Sequence, residues 1–298
     1  MLRQPGESEN DFMMMRNSLL AAAGVCTTTV FFGTSWPAAA PAVGPGELAA
    51  HRAIYELKLS QAHSQSSTVS ARGRILYDFS GSICEGYKLD FRQVSELDNG
   101  EGRVTLSDLR TNSWEDGGAK SYTFKSQNYV NERLVDSVDG GADRQQDGVA
   151  VTLTKPAARK FTLDPGVIFP SEHVRRIIEA ARADKSILEF SVYDGSETGD
   201  KVYNTLTVIG REIAPNQRVP NDAAAGQPAL ANMKRWPVTV SYFDKEKKTA
   251  EQLPVYSISF ELYENGISRA LVLDYNDFAI RGELTSLDIK ETKSCANP

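Results

Sequence analysis

Tyr256-Ser-Ile-Ser-Phe-Glu-Leu262, Glu264-Asn265-Gly266 and Ser268-Arg-Ala-Leu-Val-Leu-Asp274 decide the fold. The two outer runs alternate apolar and polar residues, the period of a strand with one buried and one wet face. Asn265-Gly266 between them tolerates positive φ, the strongest short-range sign of a hairpin. Working outward, the alternation recurs over 54–59, 74–79, 87–94, 103–109, 121–124, 132–135, 148–153, 187–193, 203–209, 238–243 and 279–289. Asp98-Asn99-Gly100, Asp116-Gly117-Gly118, Asp139-Gly140-Gly141 and Asp194-Gly195 read as the joints. Consecutive hairpins make an antiparallel meander, and so many strands must curl, split or close to hide their edges.

One segment has a different period. In Pro170-Ser-Glu-His-Val-Arg-Arg-Ile-Ile-Glu-Ala-Ala-Arg182, Val174, Ile177, Ile178 and Ala181 share one helical face, opposite Arg175, Glu179 and Arg182. Ser171 is the expected N-cap, and Glu172 suits the positive end of the helix dipole. The predicted fold is therefore mainly β: a large bent antiparallel sheet, a β-spiral or half-barrel, wrapped around one amphipathic helix. The stretch from Ala214 to Pro237 shows little periodicity and is expected to be a functional lid or, on the plainer reading, a disordered excursion.

The N-terminus reads as an address. Arg3 and Arg16 precede an apolar stretch from Leu19 to Phe32, followed by Trp36-Pro37-Ala38-Ala39-Ala40-Pro41-Ala42. This is the pattern of a secretory signal peptide over residues 1–42, cut after Ala40 or Ala42. Val25 before Cys26 argues against a lipobox, and no later segment approaches the roughly eighteen apolar residues a membrane span needs. A single periplasmic domain over 43–298 follows. It keeps two cysteines, Cys84 and Cys295. In an oxidising compartment these most simply pair, since two thiols cannot complete a structural zinc site. The bridge would tie the domain's early strands to its tail.

At 41% hydrophobic and 24% charged, the chain can bury a full core. A net charge of −6 and a pI near 5.3 exclude a general nucleic-acid binder. No G-x-S-x-G, P-loop or G-x-G-x-x-G opens an enzymatic interpretation. His51 and His63 are expected at the surface, and neither has metal-ligand spacing with another His or Cys. Glu96 and Asp98 read as surface carboxylates, and Lys245, Lys247 and Lys248 as a solvated turn. His173 sits at the edge of the helical stripe. It reads first as a structural residue, then as part of a pocket lined by Phe169, His173, Val174, Ile177 and Ile178. No metal, cofactor or catalytic residue is expected.

Five segments, in their order along the chain, resemble the alphaproteobacterial cell-envelope integrity protein EipB family, of unknown biochemical function. They are Phe79-Ser-Gly-Ser-Ile-Cys-Glu-Gly-Tyr87, Phe169-Pro-Ser-Glu-His173, Tyr193-Asp-Gly-Ser-Glu-Thr-Gly-Asp-Lys-Val-Tyr203, Trp236-Pro-Val-Thr-Val-Ser-Tyr-Phe243, and Glu261-Leu-Tyr-Glu-Asn-Gly266 through to Cys295. The resemblance covers nearly the whole chain after the leader. It implies export to the periplasm, a β-spiral similar to the periplasmic lipoprotein carriers, and a bridge between Cys84 and Cys295. It also implies a role in envelope integrity and stress resistance, a link to a periplasmic tetratricopeptide-repeat partner, and no established catalytic activity. Within the first segment, Gly81 and Gly86 relax a turn. Ser82, Glu85 and Tyr87 join them as a candidate recognition motif. The expected function is a non-enzymatic periplasmic scaffold for a protein partner and an apolar or lipid ligand. The alternatives are a soluble carrier of lipid or lipoprotein acyl chains and, third, an envelope hydrolase using His173.

Overall fold

The computed structural model describes residues 47–62, 66, 68–246, 252–292 and 295. The expected signal peptide, His63, Lys247 and Lys248 lie outside the described residues. Seven strands form one antiparallel sheet in sequence order: β2 (Ser70–Ser82), β3 (Gly86–Asp98), β4 (Val104–Glu115), β5 (Ser121–Val130), β6 (Arg133–Gln145), β7 (Gly148–Lys155) and β8 (Arg159–Leu163). The other sheet contains β1 (His51–Ala62), β9 (Val167–Ile168), β10 (Ile187–Val192), β11 (Tyr203–Ile209), β12 (Arg235–Asp244), β13 (Tyr256–Tyr263), β14 (Ser268–Asp274) and β15 (Phe278–Ile289). Its spatial order is β1-β15-β14-β13-β12-β11-β10-β9, and among the described residues only the short β9–β10 pair is parallel. Because β1 packs beside β2, the two sheets continue as one nearly closed, barrel-like wall.

Alternation sets which face turns inward. In β3, Tyr87, Leu89, Phe91, Gln93, Ser95 and Leu97 are buried, while Lys88 and Arg92 are exposed. The helix α1 (Pro170–Arg182) lies inside this concavity. Its Val174, Ile177, Ile178 and Ala181 share a core with Tyr55 and Leu57 of β1, Ile75 of β2, Val240 of β12 and Leu271 of β14. An apolar helical stripe and an apolar concave sheet each need a partner, and here they cover one another. A second, smaller core gathers Phe124, Leu153, Val167, Phe169 and Tyr193, with Phe161 and Leu163 of β8 against it. It packs together the two sheet ends, β8 and β9, that do not pair.

Three expectations are corrected. Asp139-Gly140-Gly141 is not a joint but lies within β6, with a register shift between Asp139 and Gly140. Gly140 is there for close approach: a Cβ would lie 2.8 Å from Leu153 Cδ2 and 3.0 Å from Phe124 Cζ. The stretch from Ala214 to Pro237 is ordered rather than a disordered excursion. It contains two 3-10 turns, Ala223–Gly226 and Pro228–Leu230, whose Ala224 and Leu230 join the main core, and β12 already begins at Arg235. An ion network fastens it. Arg269 Nε reaches Asp222 Oδ2 at 2.8 Å, and Arg235 Nε reaches Glu261 Oε2 at 2.7 Å. Such pairs join residues far apart in sequence, so no local period announces them. Finally, His51 is not at the surface. It starts β1, is fully buried, sits with Nδ1 2.6 Å from the Ala49 carbonyl, and stacks on Tyr77.

Candidate functional site

The β2–β3 turn carries the Cys84 motif. Gly81 (φ +95°) and Gly86 (φ +80°) occupy the left-handed region that glycine alone enters readily. Ser82 is buried, and its Oγ accepts the Cys84 and Glu85 N–H groups, each at 3.3 Å. Trp114 of β4 closes over the turn and donates Nε1–H to the Glu85 carbonyl at 3.2 Å. The turn presents Cys84 outward, where it is disulfide-bonded to Cys295 with 5.9 Å between Cα atoms. The tail is also held by Lys290, whose N–H donates to the Ala50 carbonyl and whose ammonium pairs with Asp78. Tyr87 is buried, stacks on Phe79 and accepts the Leu48 N–H. Of the five candidate recognition residues, Glu85 is therefore the one presented to solvent.

This arrangement makes a prediction. A Cβ at position 86 would lie 2.6 Å from the Trp114 indole. Gly86→Ala adds that clash to left-handed strain and should destabilise by about 2 kcal/mol. Thermal unfolding with a thiol titration checks it. The bridge should still form, and an unchanged midpoint would show that Trp114 moves aside freely.

The helix is held at its N-terminus by a carboxylate from the wall. Phe169, not Ser171, occupies the N-cap position, with no side-chain cap. Instead Glu115, at the inner end of β4, accepts the Ser171 N–H at 2.6 Å and the Glu172 N–H at 2.8 Å. Burial pushes the Glu115 carboxyl up to about 7, against the pull of these N–H donors and of Arg175. Glu172 turns outward and pairs with Arg144 of β6 at 3.0 Å and Arg176 at 3.1 Å. A space of about 10 Å³, enough for one water, adjoins Glu115, Ser171 and Tyr87.

One helical position further on, His173 is 4% exposed. Burial pushes its imidazole down to about 4, and Phe190 meets the ring edge-on at 5.7 Å. His173, Val174 and Ile177 form the helix side of a cavity of about 40 Å³, and Tyr55, Tyr242 and Ile258 belong to its sheet side. Of the expected pocket residues, Phe169 is elsewhere. It is fully buried in the second core, stacked on Tyr122 and under the Arg144 guanidinium. Ile178 packs in the main core rather than at the cavity. The cavity has room for a few waters, whereas a dry cavity that takes benzene measures about 150 Å³. Anything longer than a few atoms requires α1 to shift.

Residues 42–291 match the family model described as EipB-like. The chain belongs to the EipB-like family. A relative, the cell envelope integrity protein EipB of Brucella abortus (strain 2308), is 37% identical over 272 residues, spanning 91% of this chain and 95% of that protein. A crystal structure of a beta-barrel-like protein, a domain of unknown function from Brucella abortus, superposes with a TM-score of 0.76. It is 36% identical, and the match covers 82% of this chain and 98% of that one.

In the EipB-like chain, among the described residues, no group of three or more His, Cys, Asp or Glu could hold a metal ion. Nor is any described helix long and apolar enough to cross a membrane. What the cavity can do chemically is desolvate a small apolar group against aromatic and aliphatic walls with a few polar atoms at hand, the usual character of a ligand site. Glu115 was absent from the sequence-based expectations. Its signal is parity: it continues the inward phase of Leu109, Thr111 and Ser113, so a carboxylate stands on a buried face.

Proposed function

We propose that this EipB-like protein works in the periplasm as a non-enzymatic binding module that supports cell-envelope integrity. It would hold a protein partner on its outer surface and a small apolar ligand in the cavity beneath α1. The observation that carries this reading is the 37% identity, across 91% of the chain, to a protein named for cell envelope integrity. The leader-like residues 1–42 support the compartment, and the family resemblance supports a periplasmic tetratricopeptide-repeat protein as the partner. Deleting the gene should sensitise cells to detergent and to wall-directed antibiotics. The full chain should restore resistance, and a chain lacking residues 1–42 should not. Equal rescue by the leaderless chain rejects the periplasmic reading, and unaltered sensitivity rejects the envelope role.

A carrier of lipid or lipoprotein acyl chains is the second reading, favoured by the apolar lining of the cavity. It needs α1 to leave the concavity, because about 40 Å³ cannot hold an acyl chain. Lipid found by mass spectrometry in protein purified from periplasmic extract supports the carrier; clean protein supports the binding module.

A further inference from the structure

We infer that the cavity beneath α1 selects an uncharged, mainly apolar molecule bearing one hydrogen-bonding group, such as an alcohol or amide, and that His173 sets this preference. The inference rests on the proposal above that the cavity takes a ligand. The lining contains no Lys, Arg, Asp or Glu. An ionised group entering it would lose its hydration and meet no counter-charge, the costliest kind of burial. The lining is not wholly inert, however. His173 Nε2 is buried without a hydrogen-bond partner. Buried polar atoms without partners are rare and point to a missing water or ligand group. A hydroxyl can donate to or accept from Nε2, whichever tautomer the ring adopts.

Burial also keeps the His173 imidazole neutral at pH 7, so it offers a hydrogen bond and not a counter-ion. Tyr55 does not compete for the role, since its hydroxyl already donates to the Ser268 carbonyl at 2.9 Å. A purely apolar ligand would leave Nε2 unmet, and a carboxylate would arrive unpaired. The site thus discriminates on both sides, by an offered hydrogen bond and by an absent charge.

The test uses three matched probes small enough for the cavity, on the chain from residue 43 at pH 7: 1-propanol, propane and propanoate. Binding is followed by amide shifts and by the imidazole nitrogen spectrum. In the wild type, 1-propanol should bind saturably and move the His173 Nε2 signal, propane should leave that signal in place, and propanoate should bind at least about 100-fold more weakly than 1-propanol. His173→Phe should weaken 1-propanol about tenfold relative to propane, the worth of one hydrogen bond. Propanoate binding as well as 1-propanol, an unmoved Nε2 signal at saturation, or equal effects of the variant on both neutral probes would overturn the selectivity and leave the cavity reading standing. No saturable binding by any probe overturns both. The wild-type nitrogen spectrum decides the matter even if His173→Phe does not fold.

Discussion

Cys84→Ser should lower the unfolding free energy by up to about 5 kcal/mol, the largest single effect expected in this chain. The bridge joins residues 211 positions apart, so it removes the conformations of a very long loop from the unfolded ensemble. It need not hold the native wall together at room temperature. The β1–β15 ladder already runs from His51 opposite Ile289 to Ala62 opposite Phe278, and Lys290 continues it. Both cysteines are exposed, so a reductant should cleave the bridge without prior unfolding. The reduced protein and Cys84→Ser should therefore keep the native circular dichroism at 25 °C. Both should melt on the order of 10 °C below the oxidised wild type. Melting curves that coincide with and without dithiothreitol would show that the loop is already restrained when unfolded.

The sheet was legible because nearly every strand faces the concavity on one side and water on the other. In β3 the parity of Tyr87 to Leu97 alone gives the inward face. The helix was legible for the same reason at a different period, and so was the covalent link, since only two cysteines follow residue 42. What escaped was decided by contacts between distant residues. The two-residue β9 has no period to detect, and Gly140 looks like a turn former until Leu153 and Phe124 are placed against it. The stretch from Ala214 to Pro237 is ordered by Arg235, Glu261, Arg269 and Asp222, which meet only once β12, β13 and β14 are side by side. His51 shows the limit most simply. Nothing local distinguishes a surface histidine from one stacked on Tyr77.

Those limits matter most at the helix N-terminus, where a residue from β4 does the work expected of a local cap. Glu115→Ala should cost about 3 kcal/mol at pH 7, because it strands the buried Ser171 and Glu172 N–H groups and leaves a void. Glu115→Gln keeps one acceptor oxygen and should cost about 1 kcal/mol. The pH dependence separates the charge from the hydrogen bonds. A carboxyl raised from 4.5 to about 7 holds its proton more tightly folded than unfolded. Its contribution is fully present below pH 4.5 and is lost as pH rises through 7, a swing of roughly 3 kcal/mol. His173 acts in the opposite sense. Lowered from 6.5 to about 4, it contributes stability above pH 6.5 that is lost as pH falls through 4, by a similar amount. His51, pushed well below its usual value by burial and by Lys290, adds to that acid loss. Two histidines outweigh one carboxyl, so the wild type should weaken on acidification from pH 7.5 to 5. Glu115→Gln removes the opposing gain and should weaken more steeply, while His173→Phe should weaken less. Urea midpoints at pH 7.5, 6 and 5 for the three proteins give the slopes, and parallel lines would mean that neither buried group changes its proton on unfolding.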